Sequence, residues 1–346
     1  MGIHRLVADE DRYEFYDPTL QKYWNATVKA FPGARVSLMS MAENHKKFVV
    51  MVDSPTEAPA VSLVDIDRGS ADWLGQTYDV PSADLAPTSA IAFKAADGLT
   101  LTGYLTLPKG REDRALPLVV LAHGGPAARD EPGFDWWTQA IASRGYAVLR
   151  VNFRGSGGFG WNFIAAGFGQ WGRKMRTDLS DGVRYLAARG TIDPKRVAIV
   201  GASYGGYAAL AGPTLEPGVY RCAVSVAGIS DLKRFASWSR EDADASSQRY
   251  WLRFIGVQKI GDPRLSEISP IDHVDALTAP ILLIHGQDDT VVPYQQSQEM
   301  FDALRRAGKA VDLVRLAHED HHLLMGATRL KMLRATIDFL LKNNPP

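Results

Sequence analysis

The chain is nearly without cysteine: Cys222 is the single thiol in 346 residues. One thiol cannot close an intrachain bridge, so a disulfide scaffold is excluded. The usage fits a reducing, cytoplasmic compartment, or a periplasmic one if a signal segment has been removed. Long apolar runs are also missing. ALPLVVLA and PILLIH fall far short of the roughly 20 residues a membrane helix needs. MGIHRLVADEDRYEFYD carries no apolar signal core, so no membrane partner is expected. Neither charge is in excess. Lys plus Arg and Asp plus Glu both total 39, which removes the bulk electrostatic case for a nucleic-acid partner. What is present is 46% hydrophobic and 23% charged. That is the composition of a folded chain with a sizeable core, long enough for one large or two modest domains.

Two textures divide it. DPTLQKYWNATVKAFPG reads as a helix, with Asp17 as cap, Pro18 in the first turn and Gly33 past the end. Four short strands follow between Val36 and Gln76, separated by turn residues. They predict one antiparallel sheet, which alone is seldom stable. It either packs on the next domain or forms one blade of something larger. From about Ser89 strand-like and helix-like runs alternate. Eight strands are expected: SAIAFKA, LTGYLTLP, LPLVVLAH, YAVLRVNF, VAIVG, CAVSVAG, ILLIHG and VDLVRL. The central ones are continuously apolar, as strands covered on both faces are. Two antiparallel leading strands and six parallel ones make a doubly wound α/β domain. The expected division is 1–87 and 88–346.

Within VAIVGASYGGYAAL, Gly201-Ala202-Ser203-Tyr204-Gly205 matches G-x-S-x-G after a strand and before a helix. That turn is sharp and strained, so glycines flank the central residue. A hydroxyl there sits at a helix N-terminus, where developing negative charge is favoured. Taken alone, the motif fits an incidental turn serine equally well. Serine needs a base and an acid, in the chain order Ser…Asp…His for this scaffold. The loop HGQDDTVVP leaves a strand and offers Asp289, with Asp288 as competitor. AHEDHHLL follows the last strand, and His321 is the expected general base. Three groups in this order, each after a predicted strand, make a nucleophile, base and orienting acid. The oxyanion requires two donors. The Tyr204 N–H is one, and Gly125 in His123-Gly124-Gly125-Pro126 is the candidate for the other.

Two further patterns compete. HEDHH spells H-E-x-x-H through His318, Glu319 and His322, a zinc-hydrolase signature when it lies on a helix. Here it follows a strand, and residues 323–346 offer only Asp338 as a third ligand, so no metal is expected. Gly155 to Gly160 spells G-x-G-x-x-G, with Asp178 downstream. It follows the fourth strand of the α/β unit rather than the first, and reads as a loop, so no dinucleotide or other cofactor is expected. Arg154 in this loop is a structural residue or a contact for a substrate carboxylate or carbonyl. The aromatic stretch 235–254 reads as a covering helical insertion. Its Trp238 and Trp251 either line a pocket or pack in the core.

HGGP, NFRGS, GQWG, DPKRVAIVGASYGGYAAL, HGQDDTVVPY and the EDH element resemble the prolyl oligopeptidase family of serine peptidases, in the branch of acylaminoacyl-peptidases and dipeptidyl-peptidases. The resemblance runs from about residue 88 to the end. It implies an α/β-hydrolase fold, the triad Ser203, Asp289 and His321, and Tyr204 with Gly125 at the oxyanion. It implies a peptide or small acyl substrate and leaves a homo-oligomer open. The chain departs from the family at Ala122 before HGGP and after EDH, where the usual Gly-Phe is missing. Members also carry a multi-blade β-propeller, whereas one blade-like sheet precedes the hydrolase here. The chain is then a truncated form or a natural short relative. Its expected chemistry is hydrolysis of peptide or acyl-peptide bonds through an acyl-enzyme. Carboxylester hydrolysis is the alternative, and a non-catalytic binding role a third reading.

Overall fold

The structure, a computed structural model, describes residues 2–7, 10–54, 56–242 and 245–346. The chain divides into two compact units. One comprises Met1–Ser89 with Glu131–Gln139, and the other Ala90–Asp130 with Ala140–Pro346.

In the first unit, β1 (Gly2–Val7) and β2 (Glu10–Phe15) form an antiparallel hairpin that the sequence reading missed. Its outward residues are rich in charge, with Arg5 and Glu14 paired at 3.2 Å, while Tyr13 and Phe15 alternate inward onto Trp24. Asp17 caps α1 (Pro18–Lys29) by accepting from the Thr19 N–H at 2.7 Å and the Leu20 N–H at 3.0 Å. The helix buries Leu20, Trp24 and Thr27. Strands β3 (Arg35–Met41), β4 (Lys47–Ser54), β5 (Glu57–Asp65) and β6 (Ser70–Gln76) pair in sequential antiparallel order. Alternate residues Phe48, Val50 and Val52 face a small core with Leu20, Trp24 and Val64. The later segment 131–139 belongs to this unit, a return that the expected division at residue 88 did not include. The Phe134 N–H donates to Asp53 there at 3.0 Å.

The second unit holds β7 (Thr88–Lys94), β8 (Thr100–Thr106), β9 (Leu116–Ala122), β10 (Ala147–Asn152), β11 (Ile192–Ala202), β12 (Cys222–Val226), β13 (Ile281–Gly286) and β14 (Val311–Leu316). They form one sheet in the order β14-β13-β12-β11-β9-β10-β8-β7. Strands β9 to β14 run parallel, and β8 is antiparallel to β10. Every residue of β9, β10, β12 and β13 is buried, whereas β7 and β14 at the edges alternate with solvent. Of α2 (Trp136–Ala142), residues 136–139 belong to the first unit, and the sheet is covered by α3 (Trp161–Ala165), α4 (Lys174–Ala188), α5 (Tyr204–Leu215), α6 (Leu232–Asp242), α7 (Ala245–Ile255), α8 (Arg264–Glu267), α9 (Gln295–Arg306) and α10 (Gly326–Asn343). This is an α/β-hydrolase fold. The expected insertion at 235–254 is two helices, α6 and α7, with residues 243 and 244 outside the described set. The buried face of α9 is Gln296, Ser297, Met300 and Leu304, a helical stripe that turns Ser297 inward. Among the described residues no helix is long and apolar enough to cross a membrane.

Candidate active site

Ser203 joins β11 to α5 in the strained left-handed region, with φ 59° and ψ −121°. The turn is held by the Ser203 N–H donating to the Val226 carbonyl at 2.9 Å. It also needs flanking residues without side chains. A Cβ on Gly201 would lie 2.4 Å from the Gly205 oxygen, and one on Gly205 would lie 2.0 Å from the Ala122 oxygen. The first N–H groups of α5, including that of Tyr204, have no intrahelical acceptor and point toward the turn. Tyr204's ring is buried and packs edge-on against Trp171 at 4.7 Å.

The loop after β9 comes close to the serine. A Cβ on Gly124 would stand 3.4 Å from the Ser203 Cβ. Gly125 adopts φ +116°, and a Cβ there would strike the Ala127 and Ala128 nitrogens. The next loop over braces this one. His123 Nε2 lies 2.9 Å from Ser156 Oγ, the Gly157 N–H donates to the Ala128 carbonyl at 3.0 Å, and Asp130 pairs with Asn152. Burial pushes the His123 imidazole down to about 4, so it is neutral at pH 7.

Asp289 and His321 lie after two other strands, β13 and β14. The Asp289 side chain is fully buried after β13. Its Oδ1 accepts the Val291 and Val292 N–H groups, each at 2.8 Å. Its Oδ2 lies 2.7 Å from His321 Nδ1 and 3.1 Å from His285 Nε2. Burial pushes this carboxyl up, but the bonds from His285, His321 and the Val292 N–H outweigh it and hold it well below the usual range. A carboxylate on Nδ1 leaves His321 Nε2 as the proton-accepting nitrogen. The competing Asp288 is 64% exposed and 3.9 Å from His318.

Glu319 brackets the loop that carries His321. Its buried carboxylate accepts the Asp320 and Leu324 N–H groups and the Thr328 hydroxyl, and its carbonyl accepts the Asp288 N–H. Across the H-E-x-x-H stretch, Glu319 is committed inward and His318 is 92% exposed. The G-x-G-x-x-G stretch is a loop ahead of the five-residue α3, too short for a phosphate-binding helix.

The substrate contacts considered for three residues meet the structure differently. Arg154 is buried, its Nε 2.8 Å from Asp178 and its Nη1 2.8 Å from Asp97. Its guanidinium is an internal clamp rather than a substrate contact. Trp251 packs in a ring cluster with Trp171 and Phe235, at 5.8 and 5.3 Å. Trp238 stacks on Phe235 and lines a cleft of about 1260 Å³ that also reaches Asp231, Asp289 and Thr290. Sequence reasoning missed the His123–Ser156 brace, the Glu319 bracket and His285 on Asp289. The only signals were the histidines inside HGGP and HGQDD.

Known proteins resemble this chain in sequence and fold. The model of the prolyl oligopeptidase family matches residues 132–344. Dipeptidyl aminopeptidase BIII of Pseudoxanthomonas mexicana is 35% identical over 90% of this chain and 46% of its own. The human acylamino-acid-releasing enzyme is 28% identical over 65% of this chain and 31% of its own. A solved puromycin-hydrolysing peptidase of Mycobacterium tuberculosis superposes with a TM-score of 0.84 at 28% identity, over 99% of this chain and 53% of that one. The chain thus spans less than half the length of these curated relatives. With the strand order, the elbow and the matched sequence in agreement, the chain belongs to the prolyl oligopeptidase family of serine peptidases.

Proposed function

We propose that the chain is a serine hydrolase that cleaves peptide or acyl-peptide bonds through an acyl-enzyme on Ser203. The observation that carries this is the 2.7 Å bond from His321 Nδ1 to the buried Asp289 carboxylate. It fixes the imidazole tautomer and stabilises the imidazolium that forms. In the reaction Ser203 Oγ attacks the substrate carbonyl as His321 Nε2 takes its proton. The N–H groups of Tyr204 and Gly125 receive the oxyanion. His321 returns the proton to the leaving nitrogen as the C–N bond breaks. Water, deprotonated by the same nitrogen, then releases the acid and frees the serine.

An apolar cavity of about 460 Å³ supports a substrate with a bulky apolar residue. Ala127, two residues past Gly125, forms one wall, with Trp161, Ile164, Phe168, Tyr250 and Phe254 around it and Arg249 and Arg253 also lining it. The relatives' names, a dipeptidyl aminopeptidase and an acylamino-acid-releasing enzyme, point to the same class. We further propose that residues 1–87 form a unit of the kind a β-propeller repeats as a blade, and that residues 88–346 are the catalytic domain.

The test is a fluorophosphonate probe followed by a panel of substrates. The wild type is expected to label at Ser203, and Ser203→Ala to lose labelling and about 10⁶-fold of turnover. Dipeptide anilides and acyl-amino-acid anilides are expected to outrank p-nitrophenyl esters of short acids, and puromycin belongs in the panel. An unlabelled wild type, or an alanine variant with full activity, rejects the reading.

A further inference from the structure

We propose that His285 is a positioning residue for this site. Its Nε2–H, shared between Asp289 Oδ2 and the Val292 carbonyl, sets how much negative charge Asp289 presents to His321. The inference rests on the acyl-enzyme reading above.

The tautomer follows from the surroundings. His285 is fully buried near the end of β13. Its Nε2 lies 2.9 Å from the Val292 carbonyl, which can only accept, so Nε2 carries the proton. Its Nδ1 lies 2.7 Å from Ser297 Oγ, whose hydroxyl can donate to it from the buried face of α9. The 3.1 Å contact of Nε2 with Asp289 Oδ2 is therefore a donated hydrogen bond.

That bond completes the carboxylate. Oδ1 takes two backbone N–H groups, and Oδ2 takes two imidazoles. His285 and His321 draw on the same oxygen. A donor already on Oδ2 shares the negative charge that the carboxylate presents to an imidazolium at His321. Other groups face His285 from each packed element. Tyr294 meets its ring edge-on at 5.7 Å, and Ser297 comes from α9. Arg315, its register partner on β14, is engaged by Tyr294 Oη at 2.7 Å and Gln298 Oε1 at 3.1 Å. Among these only Asp289 and His321 exchange the reaction's charge with it.

The experiment compares His285→Phe, which has a ring but no N–H, with His285→Gln, whose amide reaches the position of Nε2. The readout is the pH profile of kcat/KM on an anilide substrate, with fluorophosphonate labelling and thermal unfolding alongside. His285→Phe is expected to lower the plateau about tenfold and to move the acid limb up by about 0.5 to 1 pH unit. His285→Gln is expected to restore most of both. A purely structural role predicts a lower plateau with the limb unmoved, or moved down as Asp289 is lost to His321. Either result overturns the proposal. If the phenylalanine variant does not fold, His285→Asn asks the same question, because its shorter amide can meet Ser297 but not Asp289. A wild type that fails to label at Ser203 rejects the underlying acyl-enzyme reading. A labelled wild type with an unmoved limb in the variants rejects only the role of His285.

Discussion

Among the described residues of the second unit, the side chains of Asp178 and Asp289 are fully buried, and each is clamped by basic groups. Asp178 on α4 holds Arg154 through both oxygens. Asp289 after β13 holds His321 and His285 through one oxygen and two backbone N–H groups through the other. Burial is the same, and the difference lies in the cation. A guanidinium does not release its proton at any working pH, so the first cluster stays an ion pair. An imidazole changes charge near neutrality, so the second can pass a proton and then be stabilised as it does. One clamp ties the loop after β10 to α4, and the other holds the imidazole on which the proposed chemistry depends.

The largest expected effect separates the two. Asp289→Asn should cost about 10⁴ in kcat, because the amide favours the wrong imidazole tautomer. Asp178→Asn should instead cost about 3–5 kcal/mol of stability by leaving a buried arginine under-paired. Turnover per folded molecule should stay within about tenfold. Urea unfolding with active-site titration measures both. Normal turnover in Asp289→Asn, or inactivation of Asp178→Asn at full stability, erases the distinction.

The sequence exposes these clusters unequally. The positions of Ser203, Asp289 and His321 were legible because each falls in a short local pattern at a strand end, where a parallel sheet presents its loops. Most of the sheet was legible for the same reason, through continuous apolar runs. Arg154 was not legible as a clamp. It lies in a glycine-rich loop that looks exposed, and its partners Asp97 and Asp178 lie 57 residues before it and 24 after. His285 depended on α9 turning Ser297 inward, which no local pattern states. The first hairpin was missed because β2 is mostly charged, and its inward pair Tyr13 and Phe15 is too short a period-two run to mark a strand.

A basic group with no carboxylate sharpens the comparison at intermediate size. His123 is surrounded by the Gly124 carbonyl, Ser156 Oγ and the face of Phe153, at 4.2 Å between ring centres. Burial, with Arg129 nearby, outweighs the Gly124 carbonyl that favours the charged ring, and its pKa falls to about 4. The unfolded chain titrates near 6.5. The folded state therefore resists protonation, and its stability is complete above about pH 6.5 and declines progressively toward pH 4. Denaturant midpoints of the wild type against His123→Gln, taken from pH 7.5 to 4.5, should show a shallower slope in the variant. Equal slopes would mean that this histidine is not held neutral by the fold.

The smallest expected effect comes from the residue next to Asp289. Asp288 shares its loop, charge and residue type, but its side chain is 64% exposed, and its one basic neighbour, His318, is 92% exposed and 3.9 Å away. Water screens such a pair almost completely. Its structural contribution comes from the backbone, whose N–H donates to the Glu319 carbonyl at 3.1 Å and survives any side-chain change except proline. Asp288→Asn should therefore alter kcat/KM by less than about threefold and stability by less than about 0.5 kcal/mol. The adjacent Asp289→Asn is the matched control on the same substrate. If the two variants lose comparable activity, then negative charge in the loop carries the effect, and the buried 2.7 Å bond to His321 does not distinguish one aspartate from the other.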